Sequence, residues 1–347
     1  MSTCQQTRHD AGIEVRHATP GDADGIAALF DRVYRGGYHL ADCTDPDLVR
    51  RTVASGEHLW VLTLAAGTVV GSVMARRDPG NGSYELGRAA VDQDYRGRAG
   101  IVAASQVLLR DTVRRPDCEL LYAFLRSDKP LRRFGWEAAG CCWTGADGGM
   151  HVLMGEREEH LFGMAFNPER TVTRIVPPRS VVLPGSPVAR EAGRLRASTH
   201  MGGYPARIAA PGVSQYTHES GRGRVAYALF EASRAAVVSS VEADTPGDVR
   251  RVLWEVFDGA APSKVEHLTL YALADKLPVI EELCRPGGED PARRFAVRGY
   301  LPGWHKDGTA RYDCVILTAQ TSEQIPSRHG LDAQIEQVYR SFPPGLR

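Results

Sequence analysis

The sequence predicts a mixed α/β protein, with helices on both faces of a mixed sheet and the architecture present in two copies, the second degenerate. Three observations predict it. Apolar residues switch repeatedly between a period of two and a helical period along the first half. A strand, a turn rich in Gly and Arg, and an amphipathic helix follow one another in YELGRAAVDQDYRGRAGIVAASQVLLRDTV, residues 84–113. The 347 residues exceed one ordinary core, and Pro168, Pro177, Pro178, Pro184 and Pro187 separate two runs of such elements. The expected organisation is a flexible terminus over 1–12, a first domain over 13–166, a linker over 167–185, a second domain over 186–320 and a tail over 321–347.

In the first domain, residues 13–17 alternate as a half-buried strand does. Thr19, Pro20 and Asp22 start a helix, with a hydroxyl cap, proline in the first turn and an acid near the positive end. Ile26, Leu29, Phe30 and Val33 recur at helical spacing until Gly36-Gly37, and Asp45-Pro46 caps a second helix through Val53. Strands follow over 58–64 and 68–76 around a tight turn at Ala66-Gly67, then a loop over 78–82 and a strand over 84–91. Beyond the helix of the 84–113 stretch come a strand over 119–125, a helical turn over 127–133 ending at Phe134-Gly135-Trp136, and strand-like segments to about Phe166.

In the second half, a helix is expected over 186–198 and a long loop over 201–223. An antiparallel pair over 224–230 and 235–241 leads to a helix at Thr245-Pro246-Gly247-Asp248, with Val249, Val252, Leu253, Val256 and Phe257 on one face. A strand over 265–273, a helix over 277–283 with a helical continuation over 292–298, and a hairpin of 299–304 with 310–318 complete it. This order repeats the latter half of the first domain.

Composition excludes several classes. Lys plus Arg and Asp plus Glu both number 42, so the chain lacks the basic excess of a general nucleic-acid binder. The first residues lack the apolar core of a secretory leader, and no apolar run is long enough to span a membrane. The seven cysteines are odd in number and lack CxxC spacing, which predicts reduced thiols and a cytoplasmic protein. Cys141-Cys142 reads as strand filler. The eleven histidines show neither HExxH nor C-x-x-C with H-x-x-x-H, so no metal is expected. No GxSxG elbow or GxxxxGK[ST] loop is present.

The residues Val91-Asp92-Gln93-Asp94-Tyr95-Arg96-Gly97-Arg98-Ala99-Gly100-Ile101 resemble the acyl-CoA loop of the GNAT superfamily of N-acyltransferases. The family pattern is Q/R-x-x-G-x-G/A. Read from Arg96, its fourth position is Ala99 and its sixth is Ile101, with Gly97 and Gly100 displaced from the register. The resemblance implies a co-substrate, acetyl-CoA or another acyl-CoA, whose pyrophosphate is held by Ala90, Val91, Arg96, Gly97, Arg98, Ala99, Gly100 and Ile101. Glu85-Leu86-Gly87-Arg88 and Leu131-Arg132-Arg133-Phe134-Gly135-Trp136, with Gly140, resemble the acyl-homoserine-lactone and N-acyl-amino-acid synthase branch, over roughly residues 56–145. That branch takes acyl groups from acyl carrier protein or acyl-CoA. Taken alone, the loop residues also describe a surface turn with two solvated arginines.

The family's mechanism implies direct attack of a small-molecule amine on the thioester carbonyl. The amine must lose a proton, and backbone N–H groups at the splayed strand polarise the carbonyl oxygen. Glu85 is the candidate base, and the alternative is that it points to solvent or pairs with Arg88 or another cation. Strand alternation puts Glu85 and Gly87 on one face, with Tyr84, Leu86 and Arg88 on the other. The family's usual general acid is a tyrosine on the last helix, and residues 127–134 contain none.

The second copy has Phe295 at the equivalent place. Acids precede its helix at Glu242 and Asp244, which leaves it to close the substrate cleft or form a homodimer contact. His200, Tyr204, His218, Glu219, His305 and Asp313 are polar candidates for that cleft or ordinary loop residues. Two further functions stay open. An acyl-carrier-protein-dependent synthase would use Arg126, Lys129, Arg132 and Arg133 as a basic entrance, and a non-catalytic acyl-CoA-binding protein would need neither base nor acid.

Overall fold

A computed structural model describes residues 7–8, 12–38, 40–98, 100–127, 142–175, 213–287, 293–321 and 325–340. The chain forms two compact units, Met1–Cys142 with Gly163–Thr171, and Trp143–Phe162 with Val172–Arg347. Ala99, the expected turn and helix at 128–141, the helix over 186–198, His200 and Tyr204 lie outside the described residues.

The first unit is a mixed sheet between two layers of helix. Its strands are β1 (Thr7–Arg8), β2 (Ile13–His17), β3 (His58–Ala65), β4 (Thr68–Asp78), β5 (Ser83–Val91) and β6 (Leu120–Leu125). They lie in sequence order across the sheet, and β10 (Leu161–Phe166, in this unit from Gly163 on) is next to β6. The helices are α1 (Ala23–Tyr34), α2 (Ala41–Thr44), α3 (Pro46–Ser55) and α4 (Gly100–Val113). The Asp45 side chain accepts from the backbone N–H of Asp47 and Leu48, so α3 starts where the Asp-Pro pair predicts.

Alternation along β3 explains the two layers. Trp60, Leu62 and Leu64 pack with Ile26, Leu29 and Phe30 of α1. Val61 packs on the opposite face with Ile101, Ala104 and Leu108 of α4. β5 is antiparallel to β4 and parallel to β6, so the βαβ crossover through α4 spans the middle of the sheet.

The second unit contains β7 (Cys142–Ala146, from Trp143 on), β8 (His151–Leu153), β9 (Glu156–Glu158), β11 (Thr173–Ile175), β12 (Val213–Ser220), β13 (Gly223–Phe230), β14 (Ala235–Glu242), β15 (His267–Leu273), β16 (Ala296–Asp307) and β17 (Ala310–Gln320). Its helices are α5 (Pro246–Glu255), α6 (Leu277–Cys284) and α7 (Asp332–Arg340). The sheet runs β7-β16-β17-β15-β14-β13-β12, with β11 beside β17, and β8 and β9 form a separate hairpin.

Two expectations are corrected here. Val213–Ser220 is a strand paired with β13 and not part of a long loop. The continuation over 292–298 is not helical where described, because Ala296 opens β16. Buried Val297 and Leu301 alternate with more exposed neighbours, so period-two burial overrode the helical reading. The tail also carries structure, since Ile335 and Val338 of α7 are buried.

Candidate active site

The site of the first unit is built where β5 leaves its neighbours. The parallel pairing of β5 with β6 covers only Ser83–Leu120, Tyr84–Leu121 and Glu85–Tyr122. On the other side, Gly87 pairs with Met74 and Ala90 with Ser72, so Arg88 and Ala89 together oppose Val73. This is a β-bulge, and Arg88 sits in it at φ 51°, a left-handed conformation that costs free energy in a non-glycine residue. The bulge and the divergence together release backbone groups of β5 from the ladder at the centre of the sheet.

The bulge also re-aims Arg88. Strict alternation places it opposite Glu85. Instead, Arg88 Nη1 donates to Glu85 Oε1 at 3.3 Å and Nη2 donates to Asp42 Oδ2 at 3.2 Å. Glu85, on β5, is also bound by Arg76 from β4, and the Tyr122 hydroxyl donates to its Oε2 at 3.4 Å. The pairing reading of Glu85 thus describes its contacts, with both carboxylate oxygens engaged by guanidinium groups. Asp42 was not singled out by sequence; α2 delivers it, and it is buried. Burial raises its carboxyl, but Arg88, His58 and Arg76 outweigh that and hold it below the ordinary value.

His58 opens β3 beside this cluster and is 3% exposed. Burial pushes its pKa down from 6.5 to about 4. In the second unit, burial lowers His267 from 6.5 to about 3. Each imidazole is neutral when folded and takes up a proton near 6.5 when unfolded. Their stabilising contribution is therefore complete above that pH and lost as pH falls to about 4 for His58 and about 3 for His267. For His58 the loss is on the order of 3 kcal/mol. Thermal melts from pH 7 to pH 4 are expected to show a steep fall in Tm, flattened in His58→Gln; a flat wild-type profile would refute it.

The residues expected to hold a pyrophosphate take different structural roles. Ala90 and Val91 are ladder residues of β5, paired with Ser72 and Gly71. The turn then begins at Asp92, whose N–H donates to Val70 O at 2.9 Å and whose carboxylate binds Arg32 Nε at 3.1 Å. Gly97 has φ 91° with open space around its missing side chain, so backbone conformation alone requires glycine there. Arg96, Gly97 and Arg98 are exposed, and the Arg98 guanidinium lies 4.6 Å from the Tyr95 ring centroid.

Gly100 opens α4 and is buried. A Cβ there would lie 2.6 Å from Thr63 Cγ2 and 3.2 Å from Ile13 Cγ2, so glycine sets the approach of α4 to the sheet. The Ile101 side chain belongs to the core, leaving only its backbone for a ligand. The first turn of α4 therefore faces the Arg96–Arg98 loop with N–H groups that lack intrahelical acceptors.

Helix α5 of the second unit, the counterpart expected from the sequence, starts differently. Thr245 caps α5 by accepting from Asp248 N at 3.1 Å, and its hydroxyl donates to Asp248 Oδ2 at 2.6 Å. A negative side chain already occupies that helix start. Of the polar candidates there, His218 is bonded to Glu255 Oε2 at 2.8 Å, while Glu219 is exposed on β12. Asp313 is buried and accepts from Tyr300 OH at 2.5 Å and Gly303 N at 2.7 Å, fixing the irregular stretch of β16. His305 lies 6.3 Å from Tyr312, ring to ring. Lys129, Arg132 and Arg133 lie outside the described residues, and Arg126 sits 6.0 Å from the Tyr34 ring centroid.

No protein-family model matches the sequence, and no curated protein matches it. About half of the chain is similar to solved structures of acetyltransferases. One is a ribosomal-protein-S5-alanine acetyltransferase from Vibrio fischeri, 14% identical over 48% of this chain and 99% of that one, with a TM-score of 0.39. A ribosomal L7/L12 alpha-N-protein acetyltransferase in complex with coenzyme A is 15% identical over 47% and 98%, with a TM-score of 0.37. An aminoglycoside 6'-acetyltransferase type Ii is 13% identical over 45% and 99%, with a TM-score of 0.36. Among the described residues, no helix is long and apolar enough to cross a membrane.

Proposed function

We propose that the first unit binds acyl-CoA and transfers its acyl group to the amine of a small molecule. The observation that carries this reading is the divergence of β5 from β6 beside a bulge, directly upstream of the glycine-opened helix α4. A thioester laid along the diverging edge meets backbone N–H groups of β5, which stabilise the oxyanion that forms on attack. The pyrophosphate lies at the first turn of α4, with Arg96 and Arg98 neutralising its charge. The amine attacks the carbonyl carbon, the C–S bond breaks, and the thiolate leaves with a proton from water. Glu85 is the base in this reading and receives the amine proton once the acceptor displaces one of its present partners.

The second unit is read as a degenerate copy of the same architecture. Its β12-β13-β14 meander, parallel β14–β15 pair and final hairpin support this, as does the loss of β14–β15 pairing beyond Val238 and Leu270. Its capped α5 argues against CoA there.

Isothermal titration with acetyl-CoA, a longer acyl-CoA and free CoA tests the reading. Micromolar binding of at least one thioester is expected, weakened about tenfold or more in the Arg96→Glu, Arg98→Glu double variant. Absence of binding by all three ligands would sink it. Thiol release over an amine panel reads the transfer itself.

A further inference from the structure

The β8–β9 hairpin of the second unit gathers a second set of reactive side chains. Asp147, His151 and His160 each contribute one ligand atom lying within 4.8 Å of the others. The hairpin builds this cluster by closing on itself. Asp147 N donates to His160 O at 3.0 Å, and His160 N donates back to Asp147 Oδ1 at 2.9 Å. Gly149 N donates to the same Oδ1 at 3.0 Å. That oxygen is fully used, which aims the other one inward. Asp147 is 2% exposed, and among the described residues no donor hydrogen-bonds its Oδ2. Yet His151 Nε2 lies 3.4 Å and His160 Nδ1 3.8 Å from that oxygen.

We propose that Asp147 Oδ2, His151 Nε2 and His160 Nδ1 bind a divalent transition-metal ion of the zinc class. A tetrahedral zinc with bonds of about 2.0–2.2 Å separates its ligand atoms by about 3.3–3.6 Å, close to the two spacings seen here. Two imidazoles and one carboxylate are also the donor set that such ions select over calcium or magnesium. A buried carboxylate oxygen without a donor is costly, and a cation removes that cost.

The surroundings support the same reading. The other nitrogen of His160, Nε2, lies 3.2 Å from Glu158 Oε2, and His329 Nε2 lies 2.9 Å from Glu158 Oε1. A carboxylate holding the far nitrogen of an imidazole is the usual outer support of a metal-bound histidine. The segment bearing His329 is held to the hairpin by Glu159 N to Ser327 O at 2.9 Å and by Arg328 Nε to Glu159 Oε2 at 2.6 Å. His151 is only half-buried, so an ion can enter past it. Three protein ligands leave a fourth position for water or another donor.

The test uses the untagged full chain, stripped with chelator and titrated with Zn²⁺, with metal content read by elemental analysis. One equivalent is expected to bind. Asp147→Asn and His151→Ala are each expected to weaken it by about 100-fold or more, and Glu158→Gln by about 10- to 100-fold. Visible absorption of the Co²⁺-loaded protein, lost in His151→Ala, gives a readout that a purely structural role would not move. Circular dichroism identifies a variant that fails to fold, and half-buried His151 is the substitution expected to fold best. Less than about a tenth of an equivalent bound, or unchanged affinity in folded His151→Ala, would overturn the proposal.

Discussion

Arg88→Met is expected to destabilise the first unit by about 3–5 kcal/mol, read as a lower urea midpoint at unchanged slope. Arg88 is the cation shared by Asp42 and Glu85, two carboxylates only 8% and 5% exposed. Methionine keeps much of the apolar stem but leaves those charges in place. Arg76 still holds Glu85, so the loss falls chiefly on Asp42. Adding Asp42→Asn removes the stranded charge, and the double variant is expected to be more stable than Arg88→Met alone, with a coupling of about 1–3 kcal/mol. A midpoint shift worth less than about 1 kcal/mol would mean that water reaches this cluster and screens it. The same variant tests the proposed chemistry, because freeing Glu85 from one guanidinium changes the pH profile of kcat if Glu85 carries the proton.

The first unit was legible because its helices cover both faces of the sheet, so β3 and β4 are buried along most of their length and read as near-continuous apolar runs bounded by turn residues. Residues 13–17 become β2, and Asp45-Pro46 opens α3. The second unit was harder for a physical reason. In Val213–Ser220 the sequence VSQYTHES is mostly polar, because that edge strand buries little. The strand Ala296–Asp307 hides its alternation behind Arg298 and Gly299, which also suit a helix end.

The site was legible only in part. The Arg/Gly loop stands out as a string, but the face that Arg88 occupies depends on a bulge, and no local residue pattern encodes the two-for-one pairing across β4. The Asp147, His151 and His160 cluster escaped for a related reason. Its spacing is that of a hairpin closed by backbone bonds, and helical motifs such as HExxH do not cover it.

Gly100→Ala is expected to lower acyl-CoA affinity by about tenfold or more and to destabilise the first unit by about 1–2 kcal/mol. Two opposing effects decide the sign. Alanine is a better helix former than glycine by about 1 kcal/mol in a helix interior, but Gly100 is the first residue of α4, where that gain is smaller. Against it stands a Cβ placed 2.6 Å from Thr63 Cγ2, on a β-branched side chain fixed in the middle of β3. Neither residue can yield locally, so α4 must lift from the sheet, and its first-turn N–H groups move with it. A shift of a few tenths of an ångström is enough to misalign several short hydrogen bonds to a pyrophosphate at once. Thr63→Ser removes only the clashing methyl. In the Gly100→Ala background it is expected to restore stability and affinity together, while costing up to about 1 kcal/mol in the wild-type background. Recovery of stability without recovery of acyl-CoA binding would move the pyrophosphate away from this helix, and with it the reading of the whole Arg96–Ile101 turn.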